Sequence, residues 1–348
     1  MCMKRSLALA ANNLIDQEIL LKGWVERVRT HGKVSFLDLR DRSGSIQIAA
    51  FDEGAVQVSK LSTQDVVEVR GRVKTRDTKY INEELETGKV EVKLESLKMI
   101  AKASEMPFDM GGKELNLELP TLLDWRTLSL RHTSVRPIFK IQEAIMEGFR
   151  VAAKKLECTE IFTPTISFSS TEGGAEVFAV DYYDKKAFLI QSPQLYKQMM
   201  VPVFERVFLV SHAYRAEPSV TTRHLSESTQ MDCELGFMSF EELIDSLELV
   251  GSQTLAAASE KYPAILKQFK VESPKIPDKI PRLKMRDVQE IIYKEMGRDV
   301  RKEQDLGPED EKDISEWVLK NHGSDFVTIT HYPTKKRAFY TMPDPENP

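Results

Sequence analysis

The chain has 348 residues, and its 49 lysines and arginines against 54 aspartates and glutamates leave a formal net charge of −5. This length predicts two or three domains with a sizeable core, and the acidic balance does not by itself indicate a nucleic-acid-binding protein, because a local basic face is what engages phosphates. Three cysteines without a CxxC pair argue against a zinc site or a disulfide framework. No apolar run reaches the roughly 18 residues of a membrane span, and we expect no membrane anchor and no signal peptide.

The first hundred residues contain strand-like segments that alternate polar and apolar side chains or run apolar, with turn signals between them. The segments are EILLKGWVERVRT, KVSFLDLRD, GSIQIAAF, QDVVEVRGRVKTR and KVEVKLESLKMI. Five short strands in a segment of this length predict a five-stranded β-barrel of the oligonucleotide-binding (OB-fold) type over residues 1–102.

The remainder of the chain has a different pattern of polar and apolar residues. Glycines and prolines interrupt residues 103–131, which we interpret as a hinge. Helices are predicted over residues 135–157, 192–204, 239–262 and 284–296, and strands over 205–217, 229–238 and 324–333. This mixture predicts an α+β domain over residues 132–348, in which the charged segment 282–321 forms a solvated face.

The stretch AYRAEPSVTTRHL places two arginines and a glutamate around a polar loop. Alternation in a strand puts Arg215 and Glu217 on one face, and Pro218 ends the strand. On the returning strand Asp232 and Glu234 share a face. Such a hairpin offers a guanidinium for a phosphate or a carboxylate. A surface hairpin with ordinary ion pairs is the alternative, because such pairs are common and stabilise little.

Two further stretches favour a binding site over a plain surface. STEGGAEVF carries Glu172 beside two glycines, which is typical of a lid that closes on a small ligand, and a simple turn is the alternative. QSPQLYKQMM places Ser192 and Gln194 just before a helix and Lys197 about one turn later. Ser192 has the alternative role of a helix N-cap, followed by Pro193 in the first turn.

Five motifs together resemble one family. TEGGAEVF, QSPQLYKQ, YRAE…TTRHL, MDCELGF and FYTMPDPENP occur here in the order found in class II aminoacyl-tRNA synthetases of subclass IIb, most closely aspartyl-tRNA synthetases of the archaeal and eukaryotic type. The resemblance implies a class II antiparallel-sheet catalytic domain and a cytoplasmic homodimer that attaches L-aspartate to tRNA(Asp). IFTPTI is similar to the first class motif, which places Pro164 at the dimer interface, although Glu157 and Cys158 replace the usual glycine and aromatic residue.

The resemblance implies that ATP and Mg²⁺ serve the formation of an aspartyl-adenylate. Arg215 would clamp the α-phosphate of ATP and the substrate carboxylate, and Glu217 would contact the adenine end. Arg223 and His224 would lie near the γ-phosphate and the end of the tRNA. Adenylate formation joins two anions, so it needs alignment and charge neutralisation more than acid–base catalysis.

The amino acid would be held by a second group of residues. Glu172, Ser192, Gln194 and Asp232 match the family positions around the substrate ammonium group, and Lys197 matches the lysine that pairs with the side-chain carboxylate. A neutral asparagine would leave a buried ammonium group unpaired, which costs several kcal/mol, so the lysine favours aspartate.

The OB-fold carries the expected anticodon-binding residues. Alternation turns Leu37 and Ile48 inward and leaves Phe36 and Gln47 on the polar face of adjacent strands. An exposed aromatic ring can stack on a base and a side-chain amide can read a base edge, and both residues match the family positions for the central U of the anticodon. The alternative is that Phe36 packs against the hinge. Charging of tRNA(Asn) as well depends on the third anticodon base, near residues 24–32, and stays open.

Two features depart from the family pattern. Ser228 stands where many relatives place an aromatic ring under the adenine. The third class motif, with acidic Mg²⁺ ligands and a further arginine, is not in the sequence, so we expect this chain alone to turn over poorly. The alternatives to an aspartate enzyme are an asparaginyl-tRNA synthetase and a non-catalytic tRNA-binding paralogue.

Overall fold

The computed structural model of the protein describes residues 3–83, 85–112, 114–171, 176–217, 225–338 and 341–345. By their contacts the residues divide into two compact units, 1–136 and 137–348. Within the described ranges, no helix combines the length and the apolar composition that crossing a bilayer requires.

The first unit is built on five strands. They are β1 (Glu18–His31), β2 (Val34–Arg40), β3 (Ser45–Phe51), β4 (Val66–Thr75) and β5 (Val90–Ala101). The strands close into a ring in the order β1-β2-β3-β5-β4. All pairs are antiparallel except β3 with β5, which is parallel. The five predicted strands are therefore confirmed.

Alternating side chains fill the ring. Leu37, Ile46 and Ile48 point inward and are buried within the same apolar cluster, as the sequence pattern predicts. The short helix α1 (Asp52–Ser59) follows β3 and adds Val58 to this cluster. Two short helices lie farther along the chain, α2 (Leu119–Asp124) and α3 (Arg126–Ser129).

The second unit contains the remaining helices and strands. The helices are α4 (Ile138–Lys155), α5 (Gln194–Phe204), α6 (Phe240–Lys261), α7 (Pro263–Gln268), α8 (Met285–Ile291) and α9 (Pro308–His322). The strands are β6 (Thr159–Glu160), β7 (Ile166–Ser167), β8 (Ala179–Tyr182), β9 (Lys185–Leu189), β10 (Arg206–Tyr214), β11 (Glu227–Leu235), β12 (Arg282–Lys284) and β13 (Thr328–Thr330).

The sheet that carries the site has the order β11-β10-β6. β10 and β11 form the predicted antiparallel pair, and β6 joins β10 in parallel. Helix α4 covers this sheet through Phe149, whose ring meets that of Phe208 edge-on with centroids 5.8 Å apart. Helix α6 begins with a capping box, because Ser239 and Glu242 satisfy each other's backbone N–H groups. The sheet and its two helices form the scaffold of the candidate site.

The charged segment 282–321 is more than the solvated face that its composition suggests. Val288 of α8 and Ile292, the first residue of the π-helical segment Ile292–Met296 that follows α8, pack against Ile314 and Val318 of α9. All four side chains are fully or almost fully buried. The apolar residues recur at helical spacing between the charges, so each helix turns a narrow stripe inward. The sequence interpretation missed this small core.

Candidate functional site

Two carboxylates share one face of β11. Asp232 lies opposite Leu209 of β10, and Glu234 lies opposite Val207, so the two are one alternation apart on the strand. Between them Cys233 turns the other way and packs into the apolar cluster around Phe149. The predicted separation of an acidic face from an apolar face is confirmed for these residues.

Lys197 meets this acidic face from the first turns of α5. Its side chain is almost fully buried, with the residue 5% exposed. The ammonium nitrogen lies 3.2 Å from Asp232 Oδ1 and 3.5 Å from Glu234 Oε2. Two carboxylates around one ammonium group leave a surplus negative charge. Asp232 Oδ2 is buried without a hydrogen-bond partner among the described residues, which leaves one acceptor available for another donor.

The start of α5 is held by short-range hydrogen bonds. Ser192 Oγ accepts from the backbone N–H of Gln194 at 3.2 Å. Pro193 is the N-cap residue of α5 and no side chain among the described residues caps this helix, so the alternative that Ser192 is the N-cap is wrong. Gln194 Nε2 lies 3.5 Å from both Oε atoms of Glu234, a long contact that places the amide beside the acidic face. Thr171 Oγ1 accepts from the N–H groups of Gln191 at 3.1 Å and of Ser192 at 3.4 Å. This hydroxyl ties the segment before Glu172 to the start of the helix.

Arg215 directly follows β10. Its N–H donates to Ser226 O at 3.0 Å, which extends the pairing with the returning strand. One residue earlier, the N–H of Tyr214 donates to Ile190 O at 2.8 Å, so the backbone of Arg215 is adjacent to the segment that leads into Ser192. Glu217 is half-buried. The structure thus brings the strand end and the start of α5 together at the backbone level.

Three of the predicted site residues, Glu172, Arg223 and His224, lie outside the described residues. Ser228 is exposed on β11 and pairs with Ala213. Pro164 is exposed as well, between two solvent-exposed apolar residues, Phe162 and Ile166.

The polar face of the first unit carries both predicted base-reading residues. Gln47 pairs directly with Asp38 across β2 and β3, and Phe36 lies one alternation away on the same face, where it is half-buried. The Gln47 amide bonds at both ends, accepting from Arg29 Nη2 at 3.2 Å and donating to Glu91 Oε2 at 2.8 Å. Phe36 and Gln47 therefore share a face, as the sequence pattern predicts.

Burial changes the protonation equilibria beneath this face. It raises the pKa of Asp38, an effect that Arg29 partly offsets by attraction. It also lowers the pKa of Arg76, whose charge is favoured by Glu91 and Asp38 and opposed by Arg29. Acidic and basic side chains thus alternate below the exposed surface, where each attracts its neighbours of opposite charge.

Sequence reasoning missed several residues that the structure adds to these sites, namely Thr171, Glu234, Arg29, Glu91 and Arg76. Glu234 was recognised as sharing a face with Asp232, and the two-residue spacing was a sufficient signal for including it. The others depend on which strands and loops become neighbours, which the sequence does not display. Among the described residues, no group of three or more histidine, cysteine, aspartate and glutamate side chains is arranged to hold a metal ion.

Both units match known protein families. Residues 118–348 match the model described as tRNA synthetases class II (D, K and N), and residues 19–100 match the OB-fold nucleic acid binding domain. The chain therefore belongs to the class II tRNA synthetases of the D, K and N group. The predicted α+β class and the OB-fold are confirmed.

Individual relatives are similar over almost the whole chain. The Aspartate–tRNA(Asp/Asn) ligase of Deinococcus radiodurans is 36% identical over 347 residues, which cover 98% of this chain and 76% of the relative. The Aspartate–tRNA(Asp) ligase of Pyrococcus abyssi is 34% identical over 345 residues, covering 96% and 76%. The crystal structure of asparaginyl-tRNA synthetase from Pyrococcus horikoshii complexed with asparaginyl-adenylate superposes with a TM-score of 0.85 at 27% identity, covering 100% of this chain and 79% of that chain.

Proposed function

We propose that the protein is a ligase that attaches L-aspartate to tRNA(Asp) in an ATP-dependent reaction. The observation that carries the proposal is the buried Lys197, which lies beside two carboxylates, one of which has a buried oxygen with no hydrogen-bond partner among the described residues. A carboxylate acceptor beside a buried ammonium group suits a small zwitterion with an additional carboxylate. The relatives named aspartate–tRNA ligases support the same substrate.

In the proposed reaction, an oxygen of the aspartate α-carboxylate attacks the α-phosphorus of ATP, and pyrophosphate leaves. The terminal ribose hydroxyl of the tRNA then attacks the activated carbonyl, and AMP leaves. Arg215 is proposed to neutralise the α-phosphate and the substrate carboxylate, which lowers the repulsion between two anions. Glu217 is assigned to the adenine end, with Arg223 and His224 near the γ-phosphate.

Binding of aspartate is assigned to the cluster around α5. Asp232 Oδ2 is proposed to accept from the substrate ammonium group, with help from Glu172, Ser192 and Gln194. Lys197 donates to Asp232 Oδ1 and lies 3.5 Å from Glu234 Oε2 in an ion pair. An ammonium group has three N–H donors, and one of them is proposed for the side-chain carboxylate of aspartate.

Mg²⁺ is the metal that ATP-dependent chemistry of this family implies. The described residues offer no acidic ligand set for it. The residues named above therefore account for binding and alignment only.

Asparagine is the competing substrate, because the structurally similar crystal structure is an asparaginyl-tRNA synthetase. Lys197 is already paired with Asp232 and Glu234, so asparagine would not leave its charge unpaired. The proposed preference for aspartate rests instead on the stronger attraction of an ammonium group for a charged carboxylate than for a neutral carboxamide. ATP–pyrophosphate exchange and calorimetric binding with each amino acid test the assignment. Tighter binding and faster exchange with asparagine would refute an aspartate enzyme.

The tRNA is assigned to the first unit through Phe36 and Gln47. Charging of tRNA(Asn) in addition is tested with transcripts that differ only at the third anticodon base. Equal charging of both transcripts would indicate the relaxed specificity named for several relatives. Binding of tRNA without any adenylate formation would instead favour a non-catalytic paralogue.

A homodimer, formed around Pro164, is the proposed assembly. Phe162 and Phe168 lie on either side of this proline in the sequence and are 89% and 69% exposed. A second copy of the chain would bury this solvent-exposed apolar surface. Sedimentation equilibrium measures the assembly, and a monomer at micromolar concentration would contradict it. Because charged tRNA is consumed by the ribosome, we place the protein in the cytoplasm.

A further inference from the structure

The polar face of the first unit contains a continuous chain of charged and polar side chains. Arg29 Nη2 lies 2.7 Å from Asp38 Oδ1 and donates to Gln47 Oε1 at 3.2 Å. Gln47 Nε2 donates to Glu91 Oε2 at 2.8 Å, and the same oxygen lies 3.9 Å from Arg76 Nε. The chain therefore runs from an acidic residue through the amide to a buried arginine.

This arrangement fixes the orientation of the Gln47 side-chain amide. A cationic donor faces the carbonyl oxygen, and an anionic acceptor faces the NH₂ group. Reversing the amide would place its NH₂ against Arg29 and its oxygen against Glu91, both repulsive. The contacts within the described part of the chain leave one N–H and one oxygen lone pair of the amide for a base.

Uracil and cytosine need opposite amide orientations. Uracil carries a donor at N3 and an acceptor at O4, so it requires the amide oxygen opposite N3. Cytosine carries an acceptor at N3 and a donor at N4, so it requires the amide NH₂ opposite N3. With the base position set by stacking, an amide that cannot rotate accepts uracil and rejects cytosine.

Arg76 lies at the far end of this chain, next to Glu91. It directly follows β4, is 8% exposed, and donates from Nε to Val90 O at 3.1 Å and from Nη1 to Tyr80 O at 3.4 Å. These two carbonyls hold the guanidinium in place. Its Nη2 atom is buried with no hydrogen-bond partner among the described residues. Glu91 and Asp38 attract its charge, and Arg29 repels it.

We propose that Arg76 is a positioning residue for base recognition, which holds Glu91 so that the Gln47 amide presents the orientation that uracil needs. This inference rests on the proposed recognition of the anticodon by Phe36 and Gln47. Arg76 itself need not touch the RNA. Its loss frees Glu91, and the amide then rotates to suit either pyrimidine.

The test measures the dissociation constants of the full chain for two RNA hairpins, with an anticodon loop that carries U or C at its central position. The wild type is expected to favour the U hairpin by about tenfold or more. Arg76→Gln is expected to bring this ratio close to one. Arg76→Lys keeps the charge but not both carbonyl bonds, and is expected to give an intermediate ratio.

Two controls separate positioning from folding and from general charge. Arg70→Gln removes the same charge from an exposed position of β4 and is expected to weaken both hairpins equally, leaving the ratio intact. Glu91→Ala removes the residue that Arg76 holds, and its effect on the ratio should not add to that of Arg76→Gln in the double variant. If Arg76→Gln fails to fold, Glu91→Ala decides alone.

The possible failures are distinguishable. A wild type that binds both hairpins equally overturns the proposed anticodon recognition and this inference with it. A wild type that prefers U, together with an unchanged ratio in folded Arg76→Gln or in Glu91→Ala, overturns only the role of Arg76.

Discussion

Asp232 meets Lys197 with one carboxylate oxygen, 3.2 Å from the ammonium nitrogen, and leaves the other oxygen buried without a partner in the described part of the chain. A buried acceptor without a hydrogen bond costs free energy, so such atoms are rare in native proteins. The Asp232 carboxylate can therefore serve both stability and ligand binding. One oxygen stabilises the buried lysine, and the other is suited to a ligand's donor.

Replacing Lys197 by methionine tests the contribution of the buried ion pair to stability. The substitution keeps the volume but leaves Asp232 and Glu234 facing each other without a cation. We expect a loss of about 3 kcal/mol in the free energy of unfolding, because removing one partner of a buried pair is strongly destabilising. Urea denaturation measures it.

Lys140→Met is the matched control for this substitution. Lys140 pairs with Glu143 at 2.9 Å, but both side chains are at least half exposed. We expect a change below about 1 kcal/mol. Similar losses in the two variants would show that Lys197 is not held in a low-dielectric environment.

Replacing Asp232 by asparagine tests its proposed role in binding the substrate ammonium group. Asparagine retains an oxygen for Lys197 but removes the charge that a substrate ammonium group would meet. We expect aspartate to bind at least about tenfold more weakly, since hydrogen bonds to charged groups contribute about 1.5–3 kcal/mol. Calorimetric titration gives the affinity. Asp245→Asn, on the surface of α6, should leave it unchanged, and equal affinity in wild type and Asp232→Asn would remove Asp232 from the ammonium site.

Replacing Phe36 by alanine tests the stacking role. We expect the chain to lose about 1–3 kcal/mol of affinity for an RNA hairpin that contains the anticodon loop. Phe51→Ala is the control, because Phe51 is an exposed aromatic residue at the end of β3. Fluorescence anisotropy at fixed salt measures both. Stacking by Phe36 is excluded if the two variants bind the hairpin equally well.

Periodicity was a reliable guide to the elements that carry these residues. The alternation of Leu37 and Ile48 with Phe36 and Gln47 placed the two faces of adjacent strands correctly, because a strand has only two faces. The short helix α1 was not predicted. Its eight residues are too few for a periodic signal.

The periodicity of polar and apolar residues did not predict the contacts between elements. Glu91 lies on β5 and Gln47 on β3, and only the closure of the ring makes them neighbours. Thr171 bonds to the segment before α5 through loop geometry. The core of residues 282–321 was hidden because charges outnumber its apolar stripe. Each of these depends on tertiary packing, which local sequence does not encode.

Two glycines offer a test of how closely α4 and α6 pack. At Gly148 an added Cβ would lie 2.7 Å from Ala257 Cβ and 2.9 Å from Gln253 O, closer than such atoms approach in proteins. We expect Gly148→Ala to destabilise the second unit by about 1–3 kcal/mol, because overpacking forces the helices apart. That loss exceeds the gain in helix propensity.

Gly251 is the counterpart in the interior of α6. It faces open space, with nothing within 4 Å of an added Cβ. Gly251→Ala should stabilise the protein by about 0.5–1 kcal/mol, because alanine loses less backbone entropy on folding. Urea denaturation of both variants compares the signs. A Gly148→Ala protein as stable as Gly251→Ala would mean that α4 and α6 are farther apart than their backbone positions indicate.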